Sequence, residues 1–172
     1  MKPDKATQKK LGRTEIDKGS QCFGDVIYSE KVTDYETVRL TFENNEEDIR
    51  ERGARVPASS VLLDAARIVR GNYRTGKTKV HPGELISGLK LLDSRPAVDE
   101  LKCRFPDAVG GEMEASGLVA ASSRHGIEWI VVKAICDWGY SKEKKEQKQA
   151  ADNAAEFAMS IVTIVQEAKT CE

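Results

Sequence analysis

The chain has no long apolar run. Nowhere does it approach the roughly 20 consecutive apolar side chains that a membrane-crossing helix needs, and its mean hydropathy is -0.49. The opening residues MKPDKATQKK also lack the apolar centre of a secretory signal. Cysteine is sparse: Cys22, Cys103, Cys136 and Cys171 are widely scattered, with no CxxC pair. Only two histidines, His81 and His125, are there to join them. No structural metal site or disulfide framework is therefore expected, and free thiols in a reducing compartment are. A dominant charge is missing as well, since 27 Lys and Arg stand against 28 Asp and Glu. That balance gives no electrostatic reason to expect nucleic acid or an anionic membrane surface as partner. The expectation left standing is a soluble, cytoplasmic protein.

What is present suffices for one domain, with 172 residues, 40% hydrophobic and 32% charged. Residues 1–22 are polar and lysine-rich without periodicity, and read as a flexible tail ahead of a domain over 23–172. Asp25 to Ser29 has the composition of a short strand, and Glu43 to Arg52 that of a charged, solvated stretch. Val56 to Arg70 reads as a helix, with Val61, Leu62, Ala65, Ala66, Ile68 and Val69 at helical spacing. Pro57 and the serines mark its start and Gly71 its stop. A strand is expected from about Val80 to Leu92, broken at His81-Pro82-Gly83, then a short helix over Pro96 to Lys102. Ser141 to Lys148 reads as a charged loop, and Ala150 to Ala168 as a C-terminal helix with one apolar side. Helices alternating with strands, without internal repeats, predict an α/β layered sandwich.

The segment GGEMEASGLVAASSRHGIEWIVVKAICDWG, Gly110 to Gly139, is the most informative. Glu114 opens an apolar helix expected to run to Arg124. Asp137 stands where the apolar segment Ile127 to Cys136, expected as a central strand, runs out. In an open α/β sheet, ligands bind beyond the carboxyl ends of the strands, so Asp137 is placed for chemistry. Each residue also has a plainer role open to it. Glu112 and Glu114 suit a helix N-terminus through the macrodipole, and His125 suits a helix C-terminus. Asp137 suits a turn, and Trp138 and Tyr140 suit a core or rim.

Taken together, these residues resemble the purine nucleoside phosphorylase and 5'-methylthioadenosine/S-adenosylhomocysteine nucleosidase superfamily. The resemblance rests on Glu112-Met113-Glu114 at a helix start and on Asp137 ending Val-Val-Lys-Ala-Ile-Cys-Asp. Gly24-Asp25-Val26-Ile27, the segment Leu85 to Leu92 (LISGLKLL) and Phe105-Pro106 fall in the same order as in that family. It implies a three-layer αβα sandwich with a mixed sheet, a partial phosphorylase/hydrolase-like fold covering Gly24 to the C-terminus. The family's preceding half, with its glycine-rich loop, has no counterpart beyond a remnant at Leu11-Gly12. The chain is thus expected to be a carboxyl-terminal half, feebly active alone, that self-associates or joins a complementary amino-terminal half.

The implied chemistry is cleavage of the N-glycosidic bond of a purine nucleoside, adenosine-like or methylthioadenosine-like. Breaking it creates an oxocarbenium-like sugar and a basic leaving group, so a site must stabilise one and protonate the other. The resemblance gives Glu114 the ribose 2'- and 3'-hydroxyls and Asp137 the proton shared with purine N7. It sets Met113 against the sugar, counts Glu112 and Cys136 among the substrate-binding residues, lines the base with the backbone at Leu91 and Leu92, and closes Trp138 and Tyr140 over the purine. Two departures stand out: Cys136 where the nucleosidases commonly place Ser, and Lys133 in place of an Arg. No cofactor is implied, and phosphate enters only as co-substrate of a phosphorylase, with Arg39, Arg52 and Arg55 available to hold it. A nucleoside-binding or regulatory module that does not turn over is the alternative.

Overall fold

The computed structural model describes residues 21–43, 46–73, 78–140 and 147–170. The expected tail over residues 1–20, with Leu11-Gly12, and the expected loop over 141–146 lie outside the described residues. Gln21 and Cys22, read as part of that tail, are tied down. The Gln21 amide donates to the Val109 carbonyl at 3.0 Å, and the Cys22 N–H donates to Asp25 Oδ2 at 2.9 Å.

Strand β1 (Val26–Asp34) organises a five-stranded sheet. The strand β5 (Val80–Ser87) lies parallel to β1, and β6 (Ala108–Glu112) lies parallel to β5. On its other edge β1 takes two short antiparallel partners. Val26 to Tyr28 pair with β7 (Val132–Ala134), and Lys31 to Thr33 pair with β4 (Arg55–Pro57). The sheet is therefore mixed.

The alternation of β1 distributes its side chains between two layers. Val26 and Tyr28 meet Ala65, Ala66 and Val69 of α1 (Ser60–Asn72) and Phe157 and Ile161 of α4 (Gln147–Thr170). The Tyr28 and Phe157 rings stack at 5.8 Å. Ile27 points the other way, into a cluster with Leu85, with Ala115 and Val119 of α3 (Ala115–His125), and with Trp129 and Ile135. Val32, five residues on, joins the same cluster because a register shift between Ser29 and Lys31 inserts one residue and reverses the parity. Helices on both faces of the sheet make the αβα sandwich. The remaining helix, α2 (Arg95–Arg104), sets Leu101, with the adjoining Phe105, on Tyr35 and Ile86.

Several expectations are corrected. The segment Ile127 to Cys136 is not a central strand: its ladder is confined to Val132–Ala134, which pairs with β1 alone. The preceding residues are held by hydroxyls instead. Ser59 Oγ accepts the Trp129 N–H at 2.7 Å and Ser29 Oγ accepts the Val131 N–H at 3.0 Å. The serine N–H groups donate back to the Trp129 and Val131 carbonyls. Pro57 ends β4 rather than opening a helix, and α1 starts at Ser60 and runs through Gly71 to Asn72. β5 continues through Pro82 and stops at Ser87, five residues short of Leu92. Gln147 and Lys148, read as loop, begin α4.

The solvated stretch from Glu43 to Arg52 carries a whole strand and the last residue of another. β2 (Val38–Glu43) and β3 (Glu46–Glu51) form a separate antiparallel ribbon, on which Leu40, Phe42 and Ile49 are exposed. Arg104 anchors its base through Glu51 at 2.7 Å. Among the described residues no helix is long and apolar enough to cross a membrane, and no three His, Cys, Asp or Glu side chains gather to hold a metal.

Replacing Ser29 by Ala removes the acceptor for the buried Val131 N–H. The expected cost is about 1–3 kcal/mol, the penalty for a buried donor left without a partner. It is read as a lowered urea midpoint at unchanged m-value; an unchanged midpoint contradicts the tie.

Candidate active site

The turn from β6 into α3 is fixed by side chains that satisfy the first N–H groups of the helix. Glu112 Oε2 accepts from the N–H of Glu114 and of Ala115, both at 2.8 Å. The buried Ser87 hydroxyl accepts from Ser116 N–H at 3.0 Å. Gly110 lets this strand lie close, since a Cβ there would stand 3.0 Å from Ile27 Cδ1 and 3.2 Å from Leu85 Cδ2. The two acids of the motif are thereby given different work. Glu112, with a side chain 6% exposed, is committed to the helix start, whereas that of Glu114 is 71% exposed.

Lys133, projecting from β7, links them. Its Nζ lies 2.6 Å from Glu114 Oε2 and 3.6 Å from Glu112 Oε2. The hydrogen bond and charge of Lys133 hold the Glu114 carboxyl below the ordinary carboxylate range. Glu114 is thus an anion with a fixed cation beside it, suited to accepting hydroxyl hydrogens.

Asp137 follows β7 by three residues. Its Oδ1 accepts the Gly139 N–H at 2.7 Å, and the Cys136 thiol lies 3.7 Å from Oδ2. Gly139 has φ +75°, a left-handed conformation that a side chain would strain. Trp138 tilts against Phe23 with ring centroids 5.2 Å apart.

A cavity of about 670 Å³ joins these groups. Eight of the nine residues expected at the site line it: Leu91, Leu92, Glu112, Met113, Glu114, Cys136, Asp137 and Trp138. Tyr140 does not; its ring and hydroxyl engage Arg95 instead. Arg39, Arg52 and Arg55 are also absent from the walls, where the cations are Lys90, Lys102 and Lys133. Burial pushes the Lys102 ammonium below its usual range, with Asp99 opposing. The rule of carboxyl-end binding needs amending here. β7 runs against β1, so Ile135 bonds to Asp25 and Gly24 at the amino end of β1, while Glu112 ends β6 on the other side. The cavity spans a sheet face between these two ends.

Lys133 is the participant that sequence reasoning left without a role. It is visible only as a departure from the family's Arg, because its partners lie about twenty residues away on another element. His81, read as a loop residue, belongs to β5 and lies 2.9 Å from the buried Asp25 carboxylate, outside the cavity.

Comparison with known sequences decides the family. The sequence profile of the phosphorylase superfamily matches residues 18–167. The chain belongs to that superfamily. This phosphorylase-superfamily chain is 29% identical over 156 residues to a death domain-containing ATP nucleosidase of Amphimedon queenslandica, covering 79% of this chain and 29% of that protein. It is 21% identical over 149 residues to a 5'-methylthioadenosine/S-adenosylhomocysteine nucleosidase of Maridesulfovibrio salexigens, covering 84% and 64%. The crystal structure of the corresponding Neisseria meningitidis nucleosidase with methylthio-immucillin-A superposes with a TM-score of 0.67 at 21% identity, covering 84% of this chain and 63% of that one. The chain therefore spans less than two thirds of the length of these relatives. The likeness to the solved structure establishes the three-layer fold.

Exchanging Lys133 for Met should return the Glu114 carboxyl towards the ordinary value of about 4.3. In a carbon-13 NMR titration the Glu114 midpoint then moves up from its wild-type position. A midpoint that stays put would remove Lys133 as the cause.

Proposed function

We propose that this chain carries the ribose-binding and acid side of a purine nucleosidase, which cleaves the N-glycosidic bond of an adenine nucleoside with water as acceptor. The observation that carries the reading is that Glu114 and Asp137, from separate elements, open into one cavity. The names of its relatives support adenine as the base, since they speak of methylthioadenosine, S-adenosylhomocysteine and ATP. Those relatives are nucleosidases, which favours hydrolysis over phosphorolysis.

In this reading the Glu114 carboxylate accepts the ribose 2'- and 3'-hydroxyls. Lys133 keeps it ionised and steady while positive charge develops at C1'. Met113 packs beside the sugar, and Leu91 and Leu92 lie along the base. Asp137 supplies or shares the proton that purine N7 takes as the glycosidic bond breaks, which turns the base into a neutral leaving group. The Gly139 N–H holds Oδ1 and the Cys136 thiol lies beside Oδ2, which orients the carboxyl at the cavity wall. No metal or organic cofactor has a step to perform. Completion of the cavity by a second copy, or by a complementary segment carrying the water's activating group, belongs to the same proposal.

The test is chromatographic measurement of adenine release from adenosine, methylthioadenosine and ATP, with and without phosphate. Release is expected without phosphate. Asp137→Asn should slow it by a factor on the order of 100 or more, the scale of a positioned general acid, and Glu114→Gln should weaken both binding and rate. Turnover untouched by either substitution would overturn the assignment.

A further inference from the structure

The loop that carries Asp137 is fastened to α2, part of which lines the same cavity through Val98. The Ser94 N–H, at the start of α2, donates to the Gly139 carbonyl at 3.0 Å. A Cβ on Gly139 would come within 2.8 Å of Val98 Cγ2, so the loop lies flush on the helix. One residue on, the Arg95 guanidinium sits 4.9 Å from the centre of the Tyr140 ring, with Nη1 3.3 Å from its hydroxyl. Asp99, one turn along α2, takes Arg95 Nε on both carboxylate oxygens at 3.0 and 3.1 Å. A guanidinium is planar and stacks on aromatic faces, so Asp99 presents it to the ring in one orientation.

This fastening bears on the carboxylate. Gly139 gives its N–H to Asp137 Oδ1 and its carbonyl to Ser94, and it has the left-handed backbone that allows both. Displacing Tyr140 releases the residue beside Gly139 and with it the donor that orients Asp137. We propose that Arg95 is a positioning residue for Asp137, acting through Tyr140 and Gly139. The inference rests on the reading of Asp137 as the acid. It adds a residue that lies outside the cavity walls and touches no substrate.

The experiment compares Arg95→Met, Tyr140→Ala and Tyr140→Phe with the wild type, by kcat, KM and acrylamide quenching of tryptophan fluorescence. Trp129 is buried, so quenching reports on Trp138, inside the fastened loop. Arg95→Met and Tyr140→Ala should each lower kcat about tenfold, as small misplacements of a reacting group do, with KM within about twofold of wild type and quenching increased. Tyr140→Phe keeps the ring face and should restore kcat to within about twofold. An unchanged kcat and quenching in Arg95→Met, or equal damage from Tyr140→Phe and Tyr140→Ala, overturns the proposal. If the wild type releases no base, the nucleosidase reading fails on its own account. The fastening is then decided by quenching alone, and equal quenching in wild type and Arg95→Met overturns it.

Discussion

The three-rung antiparallel ladder between Val26–Tyr28 and Val132–Ala134 is the contact on which the arrangement of the site depends. It is short, so it draws its strength from what surrounds it. The side chains of Val26 and Tyr28 are buried against α1 and α4, and Val131 and Ile135 are buried on the opposite face. Two serine hydroxyls extend the pairing where the ladder stops. Because β7 runs against β1, its far end delivers Asp137 to one side of the sheet face. The parallel β6 delivers Glu114 to the other. A β7 parallel to β1 would carry Asp137 past the wrong end of the sheet.

Charge at the site is arranged with the same economy. Glu112, Glu114 and Lys133 meet within hydrogen-bond and ion-pair distance, but only Glu114 is largely exposed. Glu112 is held by two backbone N–H groups as well as by Lys133. An exposed ion pair contributes little to stability. Its value here is orientation, since Lys133 keeps one carboxylate in place on a surface where it would otherwise sweep several rotamers.

Much of this was legible in the sequence, for a physical reason. Glu112, Met113 and Glu114 lie on one strand-to-helix turn, and Cys136, Asp137 and Trp138 lie on one strand end, so their placement is decided locally. Leu91 and Leu92 follow β5 in the same way. What failed depends on distant partners. The apolar composition of Ile127 to Cys136 shows that the segment is buried, but its strand is limited to the three residues that β1 pairs, and the Val131 and Trp129 N–H groups go to Ser29 and Ser59, 102 and 70 residues away. Pro57 carries no sign of whether it closes a strand or opens a helix until β1 is there to pair with Arg55 and Val56. The ribbon was hidden by its charges, although Val38, Leu40 and Phe42 alternate as a strand's residues do. Tyr140 looked like part of a lid because nothing in its neighbourhood points to an arginine 45 residues earlier.

The span of those contacts has a consequence for how the protein is made. Ser29 receives its partner Val131 across 102 residues, and Gly24 receives Asn153 across 129. A ribosome adds about 5–20 residues per second, so β1 leaves it roughly 5–20 s before the far edge of its own ladder exists. During that interval β5 can dock, because its parallel pairing needs only segments already synthesised. The edge that β7 will take stays open, with apolar Val26, Ile27 and Tyr28 beside it, and such an edge is a template for pairing with another chain. Conditions that slow synthesis through residues 80–134 should therefore cost soluble yield more than the stability of the finished fold suggests.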